Sequence, residues 1–158
     1  MDFFSFLFRR PVVLEDDFFG RLVLDGIGQA GSSCCFYAAK VMFQPTGTTI
    51  ECMIDTADAT GPSRTQQAFF QQFEQIYASI LPEIVRVIEN DSRLLAAGSP
   101  FVNFTSTHRL AGITIPERAS SAVSWEIWFE PIDTSQWGYS VSVDMIGDVP
   151  QAGIGISA

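Results

Sequence analysis

Cys35–Thr56 reads CFYAAKVMFQPTGTTIECMIDT. Two runs of alternating apolar residues flank Pro45-Thr46-Gly47, which is a turn signal. An antiparallel hairpin closed at Thr46-Gly47 pairs Phe43 with Ile50, Val41 with Cys52, Ala39 with Ile54 and Tyr37 with Thr56. The other face then pairs Gln44 with Thr49, Met42 with Glu51, Lys40 with Met53 and Ala38 with Asp55. One face is almost wholly apolar and the other mostly polar. A one-residue slip would destroy that separation, so the pattern itself argues for this register. Val41, Phe43, Ile50 and Ile54 are expected inside, and Lys40, Glu51 and Asp55 outside.

A competing motif precedes the hairpin. Gly26-Ile27-Gly28-Gln29-Ala30-Gly31 matches G-x-G-x-x-G and follows the apolar run Leu22-Val23-Leu24. Glu51 lies about twenty residues further on, as a dinucleotide site wants. In a nucleotide-binding enzyme, Ser32–Phe43 would be a helix whose first turn holds the pyrophosphate. Apolar residues run almost unbroken from Cys34 to Phe43, so periodicity does not decide. Phe36, Tyr37, Val41 and Phe43 favour a strand, and repeated βαβ units are missing. A glycine-rich loop between antiparallel strands is the simpler explanation, with the nucleotide site as the alternative.

The chain has 158 residues, enough for one domain, and 47% of them are hydrophobic, including 14 Phe. Charged residues are only 17%, which argues against disorder. Eighteen acids against nine bases give a net charge of −9, and no basic stripe for nucleic acid is visible. Such a surface suits solubility or a basic partner. Cys34, Cys35 and Cys52 are odd in number and lack metal-site spacing, so reduced thiols and a cytoplasmic location are expected. No run is long enough for a transmembrane segment. The start, Met1–Arg10, is Phe-rich, and its basic pair follows the apolar run, the reverse of a signal peptide. It reads as a segment packed on the domain or on a partner, and a homo-oligomer built through it is a third functional possibility.

Residues 1–16 read as an apolar segment and a connector, and Phe18–Leu24 as a short strand. Ser63-Arg64-Thr65-Gln66 after Pro62 is a capping box. Phe69, Phe73, Ile76, Tyr77 and Ile80 then form one stripe of an amphipathic helix. Leu81-Pro82 breaks or bends it, and Pro82–Ala97 continues helically. Leu110–Ile115 is a candidate strand, and His108, the one histidine, reads as solvated. In the last part Trp125, Ile127 and Phe129 alternate with Glu126, Trp128 and Glu130. Tyr139, Val141, Val143 and Met145 alternate with Ser140, Ser142 and Asp144. Pairing Phe129 with Tyr139 puts both apolar sets on one face. The tail from Pro150 offers Ile154 and Ile156 for an edge strand.

No G-x-S-x-G, P-loop, H-E-x-x-H or EF-hand loop is present. Glu126 with Glu130, or Asp55 with Asp58, could be acid/base or cation pairs, but solvated strand and turn acids explain them more simply. Catalytic residues, a metal and a cofactor are therefore not expected. The unusual residue is Trp128, a large indole on a polar strand face. Trp128, Glu126, Glu130 and Asp144 together form the candidate partner-binding surface, an aromatic anchor among acids.

Five phrases occur together: Asp17-Phe18-Phe19-Gly20, Val41 to Gly47, Ile54-Asp55 before Gly61-Pro62-Ser63, Gln67-x-Phe69-Phe70, and Leu81-Pro82-x-Ile84. Over residues 17 to 90 the chain resembles a group of small, uncharacterised bacterial proteins, some of which look like immunity proteins of polymorphic toxin systems. It departs from them at Ala38 and Ala39, where an acidic residue and a glycine are expected. The resemblance implies strands around Cys35–Phe43 and supplies no catalytic residue. The expected fold is a single α+β domain: an antiparallel sheet of two hairpins with a helical block packed on one face. The expected function is non-enzymatic binding of a basic protein, a toxin or effector domain.

Overall fold

The computed structural model describes residues 12–27, 35–57, 60–120, 122–133 and 138–157. Met1–Arg10, Gly28–Gly31, Cys34 and Asp58 lie outside them. Strands β3 (Cys35–Phe43) and β4 (Thr48–Thr56) form the hairpin, so the segment that a dinucleotide site needs as a helix is strand. The register is shifted by two from the expected one. Val41 faces Ile50, Ala39 faces Cys52, Tyr37 faces Ile54, and Phe43 faces Thr48. The loop explains the shift. Thr46 and Gly47 both donate their N–H to the Phe43 carbonyl, at 3.3 and 2.9 Å. Gly47 adopts φ 66°, the left-handed conformation that glycine reaches without strain. The turn thus spans Gln44–Gly47 and keeps Pro45, which has no N–H to donate, out of the ladder. A two-residue shift leaves each side chain on its own face. Tyr37, Ala39, Phe43, Ile50, Cys52 and Ile54 are buried as a set. Val41 is only half-buried, while Glu51 and Asp55, expected outside, are also half-buried.

The stretch read as a connector holds a strand, β1 (Val13–Asp16), paired with β2 (Gly20–Ile27). The Asp16 carboxylate accepts from the backbone of Phe18 and Phe19 at 2.9 and 2.8 Å, which closes the turn between them. The second half supplies β5 (His108–Ile115), β6 (Ser124–Pro131), β7 (Ser140–Ile146), β8 (Val149–Pro150) and β9 (Gly155–Ser157). Among the described residues nine strands form one sheet in the order β1 to β8, with β9 pairing with β7. Every pairing is antiparallel except β4 with β5. The sheet of two hairpins is therefore a mixed sheet: two antiparallel runs joined by one parallel pair. A parallel pair needs a crossover, and the chain makes it through α1 (Arg64–Glu89).

Ser63 caps α1, and Gln66 completes the capping box. The helix runs through Pro82 without ending. Its buried residues include Phe70, Phe73, Tyr77, Ile80, Ile84 and Ile88 on both sides of the proline. Their shared burial offsets the roughly 3 kcal/mol that an interior proline costs. Phe69 and Ile76, placed in the buried stripe by sequence, are half-buried, and Phe70 takes the inner position. The face opposite the helix's own solvent side meets the apolar sheet face. Phe43 stacks on Phe73 at 5.0 Å, and Trp125 meets Phe69 and Phe73 edge-on at 5.3 and 5.5 Å. Helices α2 (Ser92–Ala96) and α3 (Phe104–Thr107) are short and lead into β5. Among the described residues, no helix is long and apolar enough to cross a membrane.

Candidate functional site

The helix covers one face of the sheet, and among the described residues no element covers the other, here called the open face. Alternation along β6 sends Trp125, Ile127 and Phe129 into the core and Glu126, Trp128 and Glu130 to the open face. On β7, Val141, Val143 and Met145 go inward and Asp144 outward. The second hairpin is also shifted by two from expectation: Phe129 faces Val141, not Tyr139. Tyr139 precedes the strand, where its carbonyl sits 3.0 Å from His108 Nε2. The shift leaves the face of each residue intact, so Glu126, Trp128, Glu130 and Asp144 lie on one side of the sheet.

Pairing places its members individually. Glu126 lies directly opposite Asp144, and Trp128 opposite Ser142. Like charges directly opposite each other on an antiparallel pair are destabilising. Among the described residues, neither Glu126 nor Asp144 belongs to an ion pair. Glu130 differs. Arg109 on β5 is its cross-strand partner and binds it at 2.6 and 2.8 Å. Its charge is locally compensated, a pairing set by the β5–β6 register, which strand alternation does not reveal.

Trp128 is held by a glycine. One register line runs from Lys40 through Glu51, Gly112, Trp128 and Ser142 to Gly155. A Cβ on Gly112 would collide with Cζ2 and Cε2 of the indole and with the Glu51 carbonyl. The six-membered ring of Trp128 therefore occupies the space a side chain at 112 would need. Trp128 stays half-buried, its position fixed from below. An isolated glycine inside a strand pattern signals close approach of another group, and that clue was present in the sequence.

The acidic character extends past the predicted residues. Asp55 lies near the end of β4, Glu117 just after β5, Glu126 near the start of β6 and Asp144 near the end of β7. Given the strand directions, these four positions fall towards the same end of the sheet. Burial, and then the charge of Glu117, push the Asp55 carboxyl above its ordinary value. Among the described residues, none of these four carboxylates belongs to an ion pair.

Concave regions lie elsewhere, two of them beside aromatic side chains. A cavity of about 450 Å3 between α1 and the β7–β8 turn is walled by Phe69, Phe73, Ile76 and Trp125. Trp125 Nε1–H is already committed to the Gly147 carbonyl at 2.8 Å. A second, of about 380 Å3, includes Tyr77 and His108. His108, expected in solvent, is buried at 8% exposure and stacks on Phe104 at 4.5 Å. Its Nδ1 meets Thr107 Oγ1 at 2.9 Å, so both ring nitrogens are engaged. Among the described residues every buried side-chain polar atom has a partner, and no cluster of metal-binding side chains occurs. Cys52 is buried, and burial raises its thiol far above the ordinary value, so it stays a neutral, unreactive core residue. No protein-family model matches this chain, no curated protein matches it, and no solved structure matches it.

Proposed function

We propose that this chain is a non-enzymatic binding module whose open sheet face takes a basic protein, and that it serves as a cytoplasmic immunity protein neutralising a toxin. The observation that carries the first part is the uncompensated pair Glu126 and Asp144 beside an indole held in place by Gly112. A cross-strand acid pair costs stability in the free protein, and a basic partner would relieve that cost. Complementary charge also steers encounter, while a desolvated aromatic slows escape. The immunity role is supported by the resemblance over residues 17 to 90. The cytoplasmic assignment is supported by the odd count of three cysteines.

The test is to recover the partner by pull-down with the native chain, then measure both rates for variants. Trp128→Ala should mainly speed dissociation. Reversing Glu126 and Asp144 to Lys should mainly slow association. Reversal of Glu130 should act less, because Arg109 already compensates it. If these positions are neutral while changes in the Gly26–Gly31 loop abolish binding, the loop is the site and the face is not.

A further inference from the structure

The open face combines three features on neighbouring positions. The Trp128 indole sits where a Gly112 side chain would be, so its place on the sheet is fixed before any partner arrives. Glu126 lies two residues along the same strand, on the same face, about 7 Å away by strand rise. Asp144 lies directly across from Glu126 and is exposed. An indole is the best aromatic seat for a cation, and carboxylates alongside it hold the rest of that cation's charge. Arginine fits this arrangement better than lysine. Its planar guanidinium stacks on an aromatic ring, loses hydration more easily and offers a fork of donors that matches a carboxylate.

We propose that Trp128, fixed over Gly112 and flanked by Glu126, is the seat of an arginine side chain of the basic partner. This rests on the reading of the open face as the site for a basic protein, and it names the residue that anchors that protein. The guanidinium stacks on the indole and donates to the Glu126 carboxylate. Gly112 is a positioning residue: it touches no partner atom and acts by leaving room for the ring and for the Glu51 carbonyl.

Two short peptides of equal length and charge test this with the full chain, one carrying arginines and one lysines in otherwise Gly-Ser sequence. Binding is followed by calorimetry and by the Trp128 indole N–H resonance, assigned through W128F. The native protein should bind the arginine peptide more tightly than the lysine peptide, by at most about thirty-fold, the full weight of one desolvated cation–π contact. Gly112→Ala keeps every charge but pushes the ring aside, and it should erase the difference between the peptides. Trp128→Leu, which keeps an apolar cover over Gly112, should do the same and serves if Gly112→Ala does not fold. Glu126→Gln should weaken both peptides. Equal, salt-sensitive binding of both peptides by the native protein would overturn the arginine seat and leave the basic-partner reading standing. Retention of the arginine preference in both Gly112→Ala and Trp128→Leu would also overturn it. If neither peptide binds, both readings fall.

Discussion

At the scale of single residues, the open face carries acids that belong to no ion pair among the described residues. Glu126 and Asp144 oppose each other without a cation, and Asp55 carries a carboxyl raised by burial and by Glu117. Replacing Asp144 with Asn should therefore stabilise the free protein by about 0.2–1 kcal/mol, the usual weight of a cross-strand pair. Urea unfolding at neutral pH measures it. A loss of stability would mean that a cation compensates the pair and that the face is not acid-strained. The identities of Trp128, Glu126, Glu130 and Asp144 as open-face residues were legible from strand alternation alone. The ion pair of Glu130 with Arg109 was not, because β5 carries no mark of which strand it joins. The seat of Trp128 on Gly112 was half legible: the glycine stood out in its strand, but its cross-strand neighbour could not be read.

At the scale of elements, alternation fixed faces and left register open. Both hairpins are displaced by two residues, a shift that alternation cannot detect, and Pro45 in the first turn held the information that would have corrected it. The helix phase was likewise ambiguous between Phe69 and Phe70, adjacent rings of which only one can point fully inward. Gln66 joins helix to sheet. Its Oε1 accepts from the Ser63 backbone at 2.9 Å, and its Nε2 donates to the Asp55 and Pro116 carbonyls at 2.6 and 3.2 Å. It thereby bridges the ends of the two parallel strands from within the capping box. Gln66→Leu should cost about 1–3 kcal/mol by leaving buried backbone groups unsatisfied, and an unchanged thermal midpoint would refute that bridge. Asp91 plays a comparable part at α2. It accepts from the backbone of Arg93 and Leu94, while Arg93 reaches the Ile154 carbonyl at 2.6 Å and ties down the tail. The hydrogen bond from the Arg93 side chain, aided by those backbone bonds, holds the Asp91 carboxyl below its ordinary range. A lowered folded value means that this stabilisation is present above the unfolded carboxylate value of about 3.9 and is lost as pH falls below it. The unfolding midpoint should drop across that acid range in the native chain and drop less in Asp91→Asn.

At the scale of the whole molecule, a mixed sheet covered on one side by one long helix leaves a broad surface that carries acid and an indole. The α+β class was legible from the single helical block among strands. The parallel junction of β4 and β5 was not, since neither strand's composition reveals its neighbour's direction. A net charge of −9 acts at this scale, reaching about 8 Å through physiological salt. Its effect on a partner belongs to association rather than to dissociation. The most direct measurement is the association rate of the recovered partner as a function of salt, for the native chain and for Glu126→Gln with Asp144→Asn. The native rate should fall steeply as salt rises, and the double variant should associate more slowly with a flatter salt dependence while remaining at least as stable. Equal rates and equal salt slopes for the two proteins would contradict the assignment of the open face as the binding surface.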